Sequence, residues 1–167
     1  MVVTVLCVTT IAITVAALAS PSFRDRLGLG SKEPPAYPRG SQIDLPEDLY
    51  SASDLTLFIF IRHDCSACQA AKPAFARIAT QLAGASVPVR LVGSSSAEEA
   101  NATYLAELSL ARSQLVSTSL NGHRIHSVPT AVLVDRTGAV RYSFEGAPTA
   151  AQERELTALA FARQAVK

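Results

Sequence analysis

Leu55-Thr56-Leu57-Phe58-Ile59-Phe60-Ile61 runs through Arg62-His63-Asp64 into Cys65-Ser66-Ala67-Cys68, and this stretch decides the fold. Its first seven residues are continuously apolar and β-rich, as in a strand buried on both faces. After Cys68, the residues Ala71, Phe75, Ile78 and Leu82 recur at helical spacing, and Pro73 among them predicts a kink. Two cysteines three positions apart thus stand where a strand turns into a helix. A helix N-terminus favours negative charge, and the thiolate is the nucleophile of disulfide exchange.

The pattern continues outward as alternating strand and helix signals. Val87 to Val92 reads as a short strand, and Ser96-Ala97-Glu98-Glu99 opens a helix reaching about Ala111, with a serine cap and acids in its first turn. Leu115-Val116-Ser117 reads as a brief strand. Thr130 to Val134 and Ala139 to Phe144 flank Asp135-Arg136-Thr137-Gly138, a hairpin turn. A last helix spans about Ala150 to Ala165. Helices between strands require crossovers and parallel pairing, whereas the hairpin is antiparallel. The expected fold class is α/β: a central mixed sheet with helices on both faces.

Ahead of this domain, expected at 49–167, lie two further segments. Residues 1–19 carry no charged side chain and are rich in Val, Ile, Leu, Ala and Thr. The run Val2 to Ala19 would span ~27 Å as a helix at ~1.5 Å per residue, just short of a hydrocarbon core. It reads as a transmembrane anchor, with a signal sequence ending at Ala17-Leu18-Ala19 as the alternative. Residues 20–48 hold five prolines and three glycines without periodicity, and read as a tether. Arg24, Arg26, Lys32 and Arg39 follow the span, and the positive-inside tendency would keep them cytoplasmic. A tethered dithiol is most useful where disulfides form, so the expected location is a single-pass membrane protein with its domain on the extracytoplasmic side. Cys7, inside the apolar run, reads as an inert residue.

Composition closes off other classes. Lys plus Arg number 15 against 14 Asp plus Glu, and Trp is absent, so neither a basic patch nor base-stacking platforms point to nucleic acid. There is no G-x-G-x-x-G, phosphate-binding loop or G-x-S-x-G. Glu98/Glu99 and Glu153/Glu155 read as solvated helix surface.

A strand, C-x-x-C, a proline five residues after the second cysteine (Pro73), and Val128-Pro129-Thr130 before a hairpin together resemble the thioredoxin superfamily. With the apolar N-terminus, the chain is most similar to the membrane-tethered TlpA/ResA-like thiol–disulfide oxidoreductases of the bacterial envelope. The resemblance implies a thioredoxin-like domain that reduces disulfides of protein partners, for instance in cytochrome c or other cofactor maturation, fed by a membrane electron donor. It implies no cofactor beyond a redox-active Cys65–Cys68 disulfide. Cys65 would be the exposed nucleophile, Cys68 the resolving thiol, and Val128 with the cis-proline Pro129 the edge that receives substrate.

Several positions depart from the family's pattern. Asp64, preceded by His63, replaces the common tryptophan before the first cysteine. Ile59 and Ala71 occupy places where relatives carry a carboxylate, and Lys72 lies beside the second. The usual proton acceptor for the resolving thiol is therefore absent. His63 and Asp64 are expected to modulate the thiols in opposite senses, His63 by stabilising a thiolate when protonated and Asp64 by like-charge repulsion. His123 and His126 form H-x-x-H just before Val128, which leaves an alternative: a copper-binding assembly factor holding metal with Cys65, Cys68 and His126.

Overall fold

β1 (Leu55–Phe60) is buried along its whole length, and its alternation divides the interior. Leu55, Leu57 and Ile59 enter one hydrophobic core, whereas Phe58 and Phe60 enter the other. The structure, a computed structural model, describes residues 36–162. The anchor expected at 1–19 lies outside them. Among the described residues, no helix is long and apolar enough to cross a membrane.

From β1 the chain passes through α1 (Ser66–Gly84) to β2 (Val89–Ser94), then through α2 (Glu98–Glu107) to β3 (Leu115–Thr118). It returns to β4 (Thr130–Asp135), turns into β5 (Val140–Glu145), and continues into α3 (Ala150–Ala162). The sheet order is β3-β2-β1-β4-β5. β1 pairs in parallel with β2, as β2 does with β3, while β4 is antiparallel to both β1 and β5. The mixed sheet expected from the pattern of elements is therefore present.

The helices are arranged differently from expectation. Phe75 and Ile78 of α1, Tyr104 and Leu105 of α2, and Leu156 and Ala160 of α3 all join the same core. Right-handed crossovers from β1 to β2 and from β2 to β3 step in one direction, which places α1 and α2 on one face. The opposite face is closed by the segment before β1. Tyr37, Ile43, Leu45 and Tyr50 are buried there with Phe58, Phe60, Val92 and Val132, and Tyr37 stacks on Phe60 with ring centroids 5.9 Å apart. Gly40 N–H donates to Val140 O at 2.8 Å, and Val140 N–H returns a bond to Ser41 O at 2.8 Å. Residues 36–48, read in sequence as tether, thus serve as the second layer over the sheet.

Two details fix the frame around the site. Both α1 and α2 end with a serine at positive φ (Ser86 at 52°, Ser109 at 58°). In each case the next residue's N–H reaches back to the helix: Val87 to Leu82 O at 3.0 Å, and Leu110 to Leu105 O at 3.2 Å. In β2, Gly93 lies against the fully buried Asn101 of α2, whose Nδ2 donates to Ser94 O at 2.9 Å. A Cβ at Gly93 would stand 2.4 Å from that nitrogen.

Candidate functional site

The strand-to-helix junction places Cys65 at the N-cap of α1. Its Sγ accepts the Cys68 N–H at 3.1 Å, the place a serine or aspartate oxygen takes in an ordinary cap. The sulfur therefore stands where the free N–H groups of the first turn converge. Its S–H donates to the carbonyl of Val128 at 3.4 Å, across a loop boundary 63 residues away in sequence. The Val128–Pro129 peptide is cis, as the family resemblance implied. Cys65, Cys68, Val128 and Pro129 are thus brought to one place.

The two thiols differ in exposure. Cys65 is partly exposed, whereas Cys68, one turn along, is fully buried. Burial, and after it the hydrogen bond to Cys65, pushes the Cys68 thiol up to about 12. One thiol is open to a partner, and the other meets it from inside.

The modulating residues lie outside this pair. Asp64 is tied to Arg62 through two of the three guanidinium nitrogens, Nε at 3.1 Å and Nη2 at 2.9 Å. That hydrogen bonding, with the guanidinium charge, holds its carboxyl below the usual carboxylate range. The repulsion expected from Asp64 is therefore offset by a cation two residues away, a partner that the sequence reading passed over. His63 is exposed, and its backbone carbonyl accepts from the Gln69 side chain at 3.3 Å.

The H-x-x-H motif does not act as a pair. The His123 ring turns to the layer before β1, where Nδ1 lies 3.1 Å from Asp44 Oδ1 and the ring leans on Phe60. His126 is exposed, and with Arg62, Leu120, Ile125 and Val128 it lines an open groove beside the dithiol. Among the described residues, no three His, Cys, Asp or Glu side chains gather into a group that could hold a metal. The alternative set of Cys65, Cys68 and His126 is therefore not assembled.

Ile59 and Ala71, the positions where the resemblance implies a carboxylate, are both buried in the core that holds Cys68. What sequence reasoning missed is Tyr104. Its hydroxyl, buried, donates to the Cys68 carbonyl at 2.7 Å. Nothing in its helical spacing distinguishes it from any other core residue.

No family model and no curated protein matches the chain. Solved structures do. A thioredoxin-family thiol:disulfide interchange protein from Chlorobium tepidum is 14% identical, with a TM-score of 0.53 over 79% of this chain and 99% of that one. The thioredoxin domain of a Bacteroides vulgatus thiol-disulfide oxidoreductase is 19% identical, with a TM-score of 0.50 over 63% and 86%. A secreted Mycobacterium tuberculosis disulfide oxidoreductase homologous to E. coli DsbE is 16% identical, with a TM-score of 0.50 over 69% and 84%. By its sheet, its helices and its place among these structures, the chain has the thioredoxin-like fold.

Proposed function

We propose that the protein is a thiol–disulfide oxidoreductase that reduces disulfides of partner proteins with Cys65 and Cys68. The Cys65 thiolate attacks one sulfur of a partner disulfide, that S–S bond breaks, and the departing partner thiolate takes a proton. Cys68 then gives its proton to solvent water and attacks Cys65 Sγ. The Cys65–Cys68 disulfide forms, the mixed disulfide breaks, and the second partner thiol leaves. Two electrons pass to the partner, so a dithiol donor must reduce the pair before the next turnover.

One observation carries this reading: a half-exposed N-cap thiol backed at one helical turn by a fully buried one. The fold shared with thiol:disulfide interchange proteins supports the class of reaction. Val128 and Pro129 would receive the partner's extended chain, since the Val128 carbonyl lies at the reactive sulfur. His63 and Asp64 would tune the thiols from outside. The only redox group required is the dithiol itself.

The same reading extends to place and partners. Residues 1–19 would anchor the domain in the membrane with the dithiol on the extracytoplasmic side, and a membrane protein would supply electrons. Envelope proteins awaiting cytochrome c or other cofactor assembly are the substrate class this suggests. The test is capture: Cys68→Ala, expressed in cells, should accumulate partners disulfide-linked to Cys65 and released by dithiothreitol. If Cys68→Ala captures no more than Cys65→Ala, the proposal fails.

A further inference from the structure

Tyr104 sits at a weak point of the helix that carries the dithiol. Pro73 has no N–H, so the carbonyl of Gln69, four residues earlier, lacks its intrahelical donor. The first turn, which bears Cys68, is joined less tightly to the rest of α1 than an unbroken ladder would allow. At this turn the Tyr104 hydroxyl, from α2, donates to the Cys68 carbonyl. Lys72, the residue before the proline, holds its ammonium 4.9 Å from the Tyr104 ring centroid. The same ammonium pairs with Glu107, one turn further along α2. Hydroxyl, cation and carboxylate thus strap the first turns of α1 to α2.

We propose that Tyr104 is a positioning residue for the resolving step, its buried hydroxyl clamping the Cys68 carbonyl so that the Cys68 sulfur stays aimed at Cys65. This rests on the dithiol reading above and deepens it. The phenol remains protonated in this role: burial, and then the charge of a thiolate at Cys68 or Cys65, raises it above an ordinary tyrosine. It therefore stays a donor through the cycle. Cys65 takes the Cys68 N–H as its cap bond but is also held at the Val128 carbonyl, a contact outside α1 and α2, so the clamp bears chiefly on the second step.

The two steps separate with 5,5′-dithiobis(2-nitrobenzoate) as the probe. Cys65 attacks the reagent and releases one thionitrobenzoate; Cys68 then displaces the second, leaving the protein disulfide. The full chain with Cys7→Ser, reduced beforehand, is compared with and without Tyr104→Phe, and both again in a Cys68→Ala background. The expected result is a first release unchanged within about twofold and a second release slowed by roughly fivefold or more, the size of one lost hydrogen bond. A second release unchanged by Tyr104→Phe, or both releases slowed alike, overturns the clamp. If the parent chain itself gives only one release, the dithiol reading falls and the clamp with it. Should Tyr104→Phe not fold, Tyr104→Met removes the hydroxyl with a flexible apolar side chain that can refill the site. A selectively slower second release then supports the clamp, and an unchanged one overturns it.

Discussion

Replacing Asp44 by Ala should loosen the layer that covers the sheet before β1. Its carboxylate accepts from the buried Tyr37 hydroxyl, lies 3.1 Å from His123 Nδ1, and accepts from the Arg124 N–H at 3.3 Å. Tyr37 is fully buried, so without Asp44 its hydroxyl is left unsatisfied at about 1–3 kcal/mol. With the half-exposed bonds to His123 and Arg124 added, the expected loss is about 2–3 kcal/mol, on the order of 10 °C in melting temperature. The assay is a double-mutant cycle by urea unfolding over Asp44→Ala, Tyr37→Phe and both. Tyr37→Phe removes the stranded hydroxyl, so Asp44→Ala should cost about 1 kcal/mol less in that background. Burial pushes the Asp44 carboxyl up, but hydrogen bonds from Tyr37 and His123, with the charge of His123, outweigh it and hold it below the usual range. Its contribution is then complete above the unfolded value of ~3.9 and fades as pH falls through the lower folded one. The gap between the parent and Asp44→Ala should therefore close only under acid conditions. Strict additivity of the two substitutions would refute the reasoning.

Three other outcomes follow from the structure. Because the Cys68 thiol is pushed up to about 12, chiefly by burial, its thiolate fraction grows about tenfold per pH unit. The second thionitrobenzoate release should rise with that slope from about pH 7 to 9, and a plateau below pH 8 would contradict the shift. Gly93→Ala drives a methyl group into the buried Asn101 side chain and should cost about 1–3 kcal/mol in urea unfolding, partly recovered by Asn101→Ala in the same chain. Ser86→Gly and Ser109→Gly, at φ of 52° and 58°, should each stabilise by about 1 kcal/mol; a loss at both would show that the serines contribute something beyond the backbone turn.

The elements of the fold were legible where local chemistry dictates them. Six residues of the apolar run at 55–61 form β1, Ala71, Phe75, Ile78 and Leu82 set the buried face of α1, and Asp135 with Gly138 makes the β4–β5 turn. Arrangement was less legible. Strand order is a tertiary property, and it decides that α1 and α2 share a face. Tyr37, Ile43, Leu45 and Tyr50 show no period among their prolines and glycines, because each is buried through a separate contact rather than along one helix or strand.

The site divides in the same way. The cysteines and Val128-Pro129 carry a pattern of spacing and are brought together. H-x-x-H has a suggestive spacing too, but the loop sends His123 to Asp44 and leaves His126 outside. Arg62 and Tyr104 act through what they touch, and nothing in their surroundings along the chain signals it.

The central claim is that Cys65 and Cys68 form a reversible dithiol poised for reduction. The most direct test equilibrates the Cys7→Ser chain against graded glutathione and dithiothreitol buffers and counts free thiols by alkylation and mass. The account predicts one two-electron transition, confined to Cys65 and Cys68, with a midpoint at or below about −220 mV. A midpoint near about −120 mV would make the pair an oxidant, and the absence of any reversible disulfide between these two residues would contradict the account outright.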